Sequence, residues 1–162
     1  MTLLSDAEIK RWMTDGSLRI APFAEKNLTP NGYDLTIEEV LIPGQAKAFD
    51  VTVPPMSRFV VSTRERVELN GPFTAQLWIR TTWARRGVLA SFGRIDAGFK
   101  GTLTLAAFNA SAEPLPVRAG ETFAQLVFEP LAGGVEKTYA ERSGNYQDQK
   151  GVTLAKDKSR VV

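Results

Sequence analysis

Short stretches in which hydrophobic and polar residues alternate occupy much of the chain between residues 33 and 129. Turn residues separate them, among them Pro54-Pro55, Asn70-Gly71-Pro72 and Ala119-Gly120. The pattern predicts seven strands, over residues 33–39, 50–53, 58–63, 66–69, 74–80, 102–109 and 121–129. Many short strands at regular spacing favour an antiparallel sandwich or barrel over alternating strands and helices.

One helix is predicted at the N-terminus. Ser5 and Glu8 have the spacing of a capping box, and Leu4 and Ile9 are placed to form a hydrophobic staple. Gly16 is a suitable helix end. We expect this helix to be structural.

The residues after Gly133 are mostly polar and show little core pattern. We therefore predict one domain over residues 1–132, helix included, and a C-terminal arm over residues 133–162. Composition alone leaves open whether the arm is disordered or becomes ordered on a ligand or partner.

The length of 162 residues and the 43% hydrophobic content fit one globular domain with a core. No apolar run approaches the roughly 18 residues of a membrane span, and charge appears too early for a signal peptide. These features predict a cytoplasmic protein with no membrane partner.

Cysteine and histidine are both absent from the chain. This excludes a Ser-His-Asp or Cys-His catalytic site and a zinc-dependent deaminase, whose metal needs His and Cys ligands. Any metal must be held by oxygen atoms, which suits Mg²⁺ bound together with a substrate phosphate. A general base must be Asp, Glu, Lys or Tyr.

The net charge of +2 is too small to indicate a nucleic-acid surface, and no nucleic-acid partner is predicted. The charge is unevenly distributed, however, because residues 80–100 contain five basic residues and one acid, which sum to +4. The remaining residues therefore sum to −2. The basic residues are Arg80, Arg85, Arg86, Arg94 and Lys100, and the acid is Asp96.

The stretch LWIRTTWARRG (77–87) predicts a strand that leads into a short helical turn. Thr81 or Thr82 is a good N-cap, and the free N–H groups of a helix start can bind an anion. Arg80 and Arg85 could flank that anion with charge-assisted hydrogen bonds. The alternative is a surface turn with solvated arginines.

The stretch GRIDAGFKG (93–101) contains a tight, glycine-rich loop around Asp96. Glycines allow the backbone to come close to a ligand, and the flanking Phe99 can help to hold a carboxylate in a fixed position. The alternative is an aspartate that caps a turn beside a core phenylalanine.

Three further stretches carry polar residues in notable positions. Asp34 begins a strand in NGYDLTI (31–37), where an Asx-type turn is the ordinary explanation. Gln125 lies in the otherwise apolar AGETFAQLVFE (119–129), as either a satisfied structural amide or a site residue. RSGNYQDQKG (142–151) places an aromatic, amides and a lysine on the arm.

These five stretches, in this order, resemble the motifs of the dUTPase and dCTP deaminase superfamily over residues 3 to about 153. The N-terminal SDAEIKRW and the RSGNYQDQKG stretch are similar to the dCTP deaminase branch. The resemblance implies a mainly β fold, a distorted, jelly-roll-like β-barrel with a short N-terminal helix and a C-terminal arm that closes over the active site. It also implies a homotrimer with shared active sites and Mg²⁺ on the substrate triphosphate.

The resemblance also assigns roles to individual residues. The triphosphate would be held by Arg80, Thr81, Thr82 and Arg85, often in a neighbouring subunit's site. Asp96 would lie beside the deoxyribose and the attacking water, Phe99 under the sugar, and Gln125 would support the water or the base edge. The arm would close over the phosphates with Tyr139, Tyr146 and Gln149, and Arg94 is also assigned to substrate binding.

One position departs from the deaminase pattern. The dCTP deaminases that this chain resembles carry a glutamate where GTLTLAAFN has Ala106, and that glutamate activates water for attack on cytosine C4. General acid–base help of this kind is worth about 10²- to 10⁴-fold. Ala106 cannot supply it, whereas a small residue there is similar to what dUTPases have.

The sequence therefore predicts a dUTP diphosphatase similar to archaeal dUTPases of the dCTP deaminase family. Asp96 would activate water for attack on the α-phosphorus of dUTP, releasing dUMP and pyrophosphate. The alternatives are a dCTP deaminase, with or without formation of dUMP, a non-catalytic nucleotide-binding homologue, and a structural β-domain.

Overall fold

The structure is a computed structural model that describes residues 2–155. Its strands are β1 Leu18–Ala21, β2 Leu28–Thr29, β3 Gly32–Leu41, β4 Asp50–Val53, β5 Ser57–Thr63, β6 Arg66–Leu69, β7 Phe73–Ile79, β8 Val88–Leu89, β9 Arg94–Ile95, β10 Lys100–Gly101, β11 Thr104–Asn109, β12 Leu115–Arg118 and β13 Thr122–Pro130. Its helices are α1 Asp6–Thr14, α2 Thr81–Arg85 and α3 Tyr139–Arg142, with a 3-10 turn at Glu25–Asn27. The predicted mainly β fold with a short N-terminal helix is confirmed.

Helix α1 has nearly the predicted ends, but only the Ser5 half of the predicted capping box forms, because the Glu8 carboxylate pairs with Arg11. The Ser5 hydroxyl accepts a hydrogen bond from the N–H of Glu8 at 3.3 Å, which satisfies one of the free donors of the first turn. Gly16 follows the helix with φ +81°, a left-handed conformation that glycine adopts readily. Leu4 and Ile9 are both buried in the core, as expected for a hydrophobic staple.

The largest sheet is antiparallel, with the order β8-β11-β5-β3-β13-β7-β9. Strand β3 is central and pairs with β5 over one half of its length and with β13 over the other. The pairing register shifts between Ile37 and Glu39 and between Thr122 and Ala124, and such irregularities increase the local bend of a sheet. Two small sheets, β1-β6-β10 and β12-β4, complete the layers.

Large aromatic side chains fill the space enclosed by the sheets. The fully buried aromatic residues of the core are Tyr33, Phe59, Phe73, Phe123 and Phe128. Edge-to-face pairs such as Phe59 with Phe123, whose ring centroids are 6.0 Å apart, link neighbouring strands. This rigid core fixes the strand ends from which the polar residues of interest project.

Two details of the structure differ from the sequence predictions. The N-cap of α2 is Arg80, and no side chain caps this helix, so the prediction of Thr81 or Thr82 as the N-cap is wrong. The physical reason is that the backbone is still extended at Arg80, with ψ 139°, and turns helical at Thr81. The strand predicted over residues 102–109 begins at Thr104.

The C-terminal arm is docked along the barrel in spite of its polar composition. Helix α3 begins with a capping box formed by Thr138 and Glu141.

Residues 156–162 of the predicted arm lie outside the described residues, and the boundary at residues 132 and 133 remains a prediction. None of the helices within residues 2–155 is long and apolar enough to cross a membrane.

Candidate functional site

Two cavities contain most of the predicted site residues. The first, here called the arginine cavity, has a volume of about 560 Å³ and is lined by Arg80 and Thr82. The second, the Asp96 cavity, has a volume of about 330 Å³. It is lined by Arg94, Asp96, Phe99, Ala106, Tyr139, Tyr146 and Gln149. The two cavities share no lining residue, so this single chain keeps the two groups of predicted site residues apart.

An ion pair lies at the centre of the arginine cavity. The Nε of Arg80 is 2.8 Å from Oδ2 of Asp34, and Nη1 of Arg80 donates a hydrogen bond to Oγ1 of Thr122. Burial raises the pKa of Asp34, and the nearby Arg80 guanidinium and Gln125 amide lower it only in part. Oδ1 of Asp34 is buried and has no hydrogen-bond partner within residues 2–155. Asp34 is therefore more than a turn-capping aspartate, because it orients Arg80.

Gln125 lies beside this ion pair rather than in the Asp96 cavity. It is opposite Asp34 in the pairing of β13 with β3, and its Nε2 donates to Oγ1 of Thr29 at 2.9 Å. A Cβ at the neighbouring Gly32 would lie 2.3 Å from the carbonyl oxygen of Leu126 and 3.1 Å from the Gln125 side chain. Glycine at position 32 is therefore required for the close approach of the two strands.

Trp83 anchors helix α2 against the core. Its side chain is buried and its Nε1 donates to the carbonyl oxygen of Thr122 at 2.8 Å, while the guanidinium of Arg86 stacks 4.5 Å from the ring centroid. Thr81 and Arg85 are exposed on the same helix and line neither cavity. Of the four residues predicted to hold the triphosphate, Thr81 and Arg85 therefore face solvent, while Arg80 and Thr82 line the arginine cavity.

Asp96 lies in the turn between β9 and β10 with its side chain exposed to the cavity. Its carbonyl oxygen accepts the N–H of Phe99 at 3.1 Å, which closes the turn. Gly98 has φ +88°, and a Cβ there would lie 2.5 Å from Cβ of Thr138. The glycine therefore allows both the turn and the close approach of the arm.

The arm completes the walls of the Asp96 cavity. The rings of Tyr139 and Phe99 pack edge to face with centroids 5.6 Å apart. The hydroxyl of Tyr139 accepts the N–H of Tyr146 at 3.0 Å, and Nε2 of Gln149 donates to the carbonyl oxygen of Thr102 at 2.8 Å. Oε1 of Gln149 is buried and has no partner within the described residues, so it is a free acceptor.

The carboxylate of Asp96 is the only acid that lines this cavity in the described part of the chain. Ala106, on β11, lines the same cavity and is exposed to it. The nearby Arg94 is an exposed side chain whose Nη2 is 3.6 Å from Oε2 of Glu129. The cavity can therefore offer one carboxylate, one guanidinium and an aromatic floor to a ligand.

The arginine cavity also contains a buried acid that the sequence does not indicate. Glu65 is 2% exposed, and its Oε2 accepts the N–H of Thr36 at 2.8 Å. Burial raises the pKa of Glu65, and the hydrogen bond from Thr36 lowers it in part. In the sequence, RERVEL looks like a charged turn before a strand, so no local signal indicates the burial.

Among residues 2–155, no group of three or more acidic side chains is placed to hold a metal ion. A cation such as Mg²⁺ would therefore need oxygen atoms from a bound ligand, which is how Mg²⁺ commonly binds with phosphates.

Comparisons with known proteins agree with the motif resemblance. The family model described as dCTP deaminase-like matches residues 45–131. A dCTP deaminase from Thermococcus gammatolerans is 36% identical over 154 residues, which are 92% of this chain and 96% of that protein. A protein of Sulfolobus islandicus rod-shaped virus 1, named "Probable deoxyuridine 5'-triphosphate nucleotidohydrolase", is 34% identical over 160 residues, 96% of this chain and 99% of its own.

The fold also matches a solved structure. The crystal structure of 2'-deoxycytidine 5'-triphosphate deaminase from Agrobacterium tumefaciens superposes with a TM-score of 0.66 at 18% identity. The match covers 79% of this chain and 48% of that longer chain, and at this identity it shows a shared fold. Taken with the family model and the relatives of similar length, it shows that the chain belongs to the dCTP deaminase-like family.

Proposed function

We propose that this protein is a dUTP diphosphatase, which hydrolyses dUTP to dUMP and pyrophosphate. One observation carries the proposal: the Asp96 cavity contains one acid from this chain, and Ala106 lines the cavity where the resembling deaminases have a glutamate. Deamination of cytosine without zinc needs a group that transfers protons at the base. Attack of water on a phosphorus atom needs only one base to orient and deprotonate that water.

Asp96 is the proposed base. Its carboxylate would hold the attacking water and accept its proton while the bond between the α-phosphorus and the bridging oxygen breaks. The arginines of the motif would neutralise the charge that develops on the phosphate oxygens, and Mg²⁺ bound with the triphosphate would add to this effect when present.

The walls of the Asp96 cavity suit a deoxynucleoside. Phe99 is buried under the cavity and packs against Tyr139, which leaves an apolar surface where a sugar without a 2′-hydroxyl would fit. The free Oε1 of Gln149 can accept a hydrogen bond from a ligand donor. Gln125, which the resemblance assigns to the water or the base edge, lies opposite Asp34, so we propose that it supports the phosphate side of the site instead.

A homotrimer with shared sites is proposed to bring the two cavities' residues together. Thr81 and Arg85 are exposed and line neither cavity, which suits a role in a neighbouring subunit's site. Trp78 and Leu89 are large apolar side chains that are 58% and 64% exposed, and we expect the trimer interface to cover them. Mass measurement in solution tests the trimer directly.

A dCTP deaminase is the second candidate, and the names of most relatives favour it, including the one from Thermococcus gammatolerans. This activity would require an acid that the Asp96 cavity of one chain does not contain, supplied by another subunit. The fold supports either chemistry, so the distinction depends on the site residues.

Product analysis separates these candidates. The protein is incubated with Mg²⁺ and either dUTP or dCTP, and the nucleotides are resolved by chromatography. We expect dUMP and pyrophosphate from dUTP and no change in dCTP. Conversion of dCTP to dUTP or dUMP would instead establish the deaminase, and turnover of neither nucleotide, with binding retained, would indicate a non-catalytic nucleotide-binding protein.

A further inference from the structure

The described part of the arm follows the barrel edge formed by residues 97–104. The N–H of Tyr139 donates to the carbonyl oxygen of Ala97 at 2.9 Å, at the start of this course. Farther along, the N–H of Asp148 donates to the carbonyl oxygen of Lys100 at 2.7 Å. These bonds join the arm to its own chain, so the arm covers the Asp96 cavity of the subunit to which it belongs.

A second attachment lies beyond the cavity. Oε1 of Glu39 accepts the N–H of Val152 at 2.6 Å, and Nζ of Lys47 donates to the carbonyl oxygen of Val152 at 3.1 Å. Glu39 and Lys47 also pair with each other at 3.0 Å. One ion pair therefore holds both backbone polar groups of a single arm residue.

Apolar packing around Val152 and the charge of Glu39 both favour this attachment. Val152 is 7% exposed and packs with Leu41 and Val60 in a small apolar cluster separate from the main core. Burial raises the pKa of Glu39, but the N–H of Val152 and the Lys47 ammonium outweigh this effect and leave the pKa below its ordinary value. The carboxylate is therefore charged at neutral pH and makes charge-assisted hydrogen bonds.

The backbone at Gly151 is also specific to this contact. Gly151 has φ +63°, and a Cβ there would lie 2.6 Å from Oε1 of Glu39. Any side chain at position 151 would strain the turn and push the carboxylate away from Val152.

We propose that Glu39 and Lys47 form a clamp on the backbone of Val152 that holds the arm closed over the Asp96 cavity of its own chain. Val152 follows Gln149 by three residues, so the clamp limits how far Gln149 can move from the cavity wall. Glu39 and Lys47 are positioning residues, since neither lines the Asp96 cavity. The consequence for substrate binding rests on the proposed function.

The first test measures the arm itself, without substrate. Hydrogen–deuterium exchange is followed by mass spectrometry over residues 145–155 in Gly151→Ala, Glu39→Gln and the matched control Gly134→Ala. A Cβ at Gly134 meets nothing within 4 Å, so the control should exchange like the parent protein. We expect exchange to be about tenfold faster in Gly151→Ala and about threefold faster in Glu39→Gln, because charge-assisted bonds are lost or weakened. Parent-like exchange in both variants would overturn the clamp.

The second test uses dUTP kinetics on Gly151→Ala and Glu39→Gln, with Gly134→Ala again as the control that should keep the parent KM. Opening the arm lowers the fraction of binding-competent protein, so we expect KM to rise by about threefold to tenfold while kcat changes less than about twofold. Faster exchange with an unchanged KM would overturn the link between the clamp and the site. Absence of dUTP turnover in the parent protein would contradict the proposed function, while the exchange measurement would still decide the clamp.

Discussion

The two cavities differ in how their polar groups are satisfied. In the arginine cavity, Arg80 is already paired with the buried Asp34, and the buried Glu65 holds the backbone of Thr36. In the Asp96 cavity, the carboxylate is exposed, and the surrounding wall is made mainly of aliphatic and aromatic side chains. The first cavity is an organised charge network, and the second is a mainly apolar pocket with one acid and one exposed arginine.

Under the proposed function, this difference would assign phosphate binding to the arginine cavity and water activation to the Asp96 cavity. A network of paired charges holds a guanidinium in a fixed direction, which suits binding of an anion such as a triphosphate. An isolated, accessible carboxylate beside an aromatic wall suits activation of water next to a nucleoside. We therefore expect loss of Asp96 to reduce turnover and loss of Arg80 to reduce stability.

The largest expected effect is on turnover, in Asp96→Asn. The amide keeps the size of the side chain but cannot accept a proton, so we expect kcat for dUTP to fall by about 10³-fold or more, with nucleotide binding retained. Steady-state kinetics and calorimetric titration with dUTP measure the two quantities. Asp50→Asn, an exposed aspartate on β4, is the matched control and should behave like the parent. Turnover in Asp96→Asn near the parent level would remove Asp96 from its proposed role.

A smaller effect, on stability, is expected for Arg80→Ala. The substitution leaves the Asp34 carboxylate buried without its cation, so the free energy of unfolding should fall by about 2–3 kcal/mol at pH 7. Urea unfolding measures this loss. The loss should shrink at acidic pH, because protonation removes the buried charge. Arg85→Ala, on the exposed side of α2, should change stability by less than about 0.5 kcal/mol.

An equal loss in Arg80→Ala and Arg85→Ala would mean that the ion pair does not organise the arginine cavity. Asp34→Asn combined with Arg80→Ala sharpens the test. The neutral amide should recover part of the lost stability, since an unpaired amide costs less to bury than an unpaired carboxylate.

The smallest effect is expected for Glu65→Gln. Burial raises the pKa of Glu65 above the ordinary value of 4.5, so the folded protein binds this proton more tightly than the unfolded chain does. Protonation of Glu65 therefore stabilises the folded protein fully below pH 4.5. This stabilisation is lost as the pH rises through the pKa of Glu65 in the folded state. The glutamine, which can still accept the N–H of Thr36, should raise the free energy of unfolding at pH 7 by up to about 1 kcal/mol.

Chemical unfolding from pH 4 to pH 8 tests this prediction, with Glu113→Gln, at an exposed position before β12, as the control. The difference in the free energy of unfolding between Glu65→Gln and the parent should become smaller towards pH 4. A variant that is less stable than the parent at pH 7 would show that the hydrogen bonds of the carboxylate outweigh the cost of its burial.

Much of the fold could be predicted from local pattern. Strands β4 and β6 have the predicted bounds, and β3, β5, β7 and β13 agree within a few residues, because alternation over four or more residues is a strong signal. Strands of two residues, such as β8 and β9, carry no such alternation and exist only through pairing with distant strands.

The arm shows where local pattern is insufficient. Its polar composition leaves its order open, because apolar periodicity is the signal that indicates packing. The structure attaches it instead through backbone hydrogen bonds, the Gln149 side chain and the clamp at Val152. Backbone groups are the same in every sequence, so contacts of this kind leave little trace in composition.

The sequence by itself determined which chemistry is available: no imidazole or thiol, an acid at Asp96, an alanine at position 106 and a concentration of arginines. Only the tertiary structure decided which of these groups share a cavity. It placed Asp96, Phe99 and the arm tyrosines together and put Arg80 with Asp34 and Gln125 elsewhere. The physical reason is that these side chains are positioned by pairing between strands that are far apart in the chain. The energy of that pairing is shared by the whole sheet.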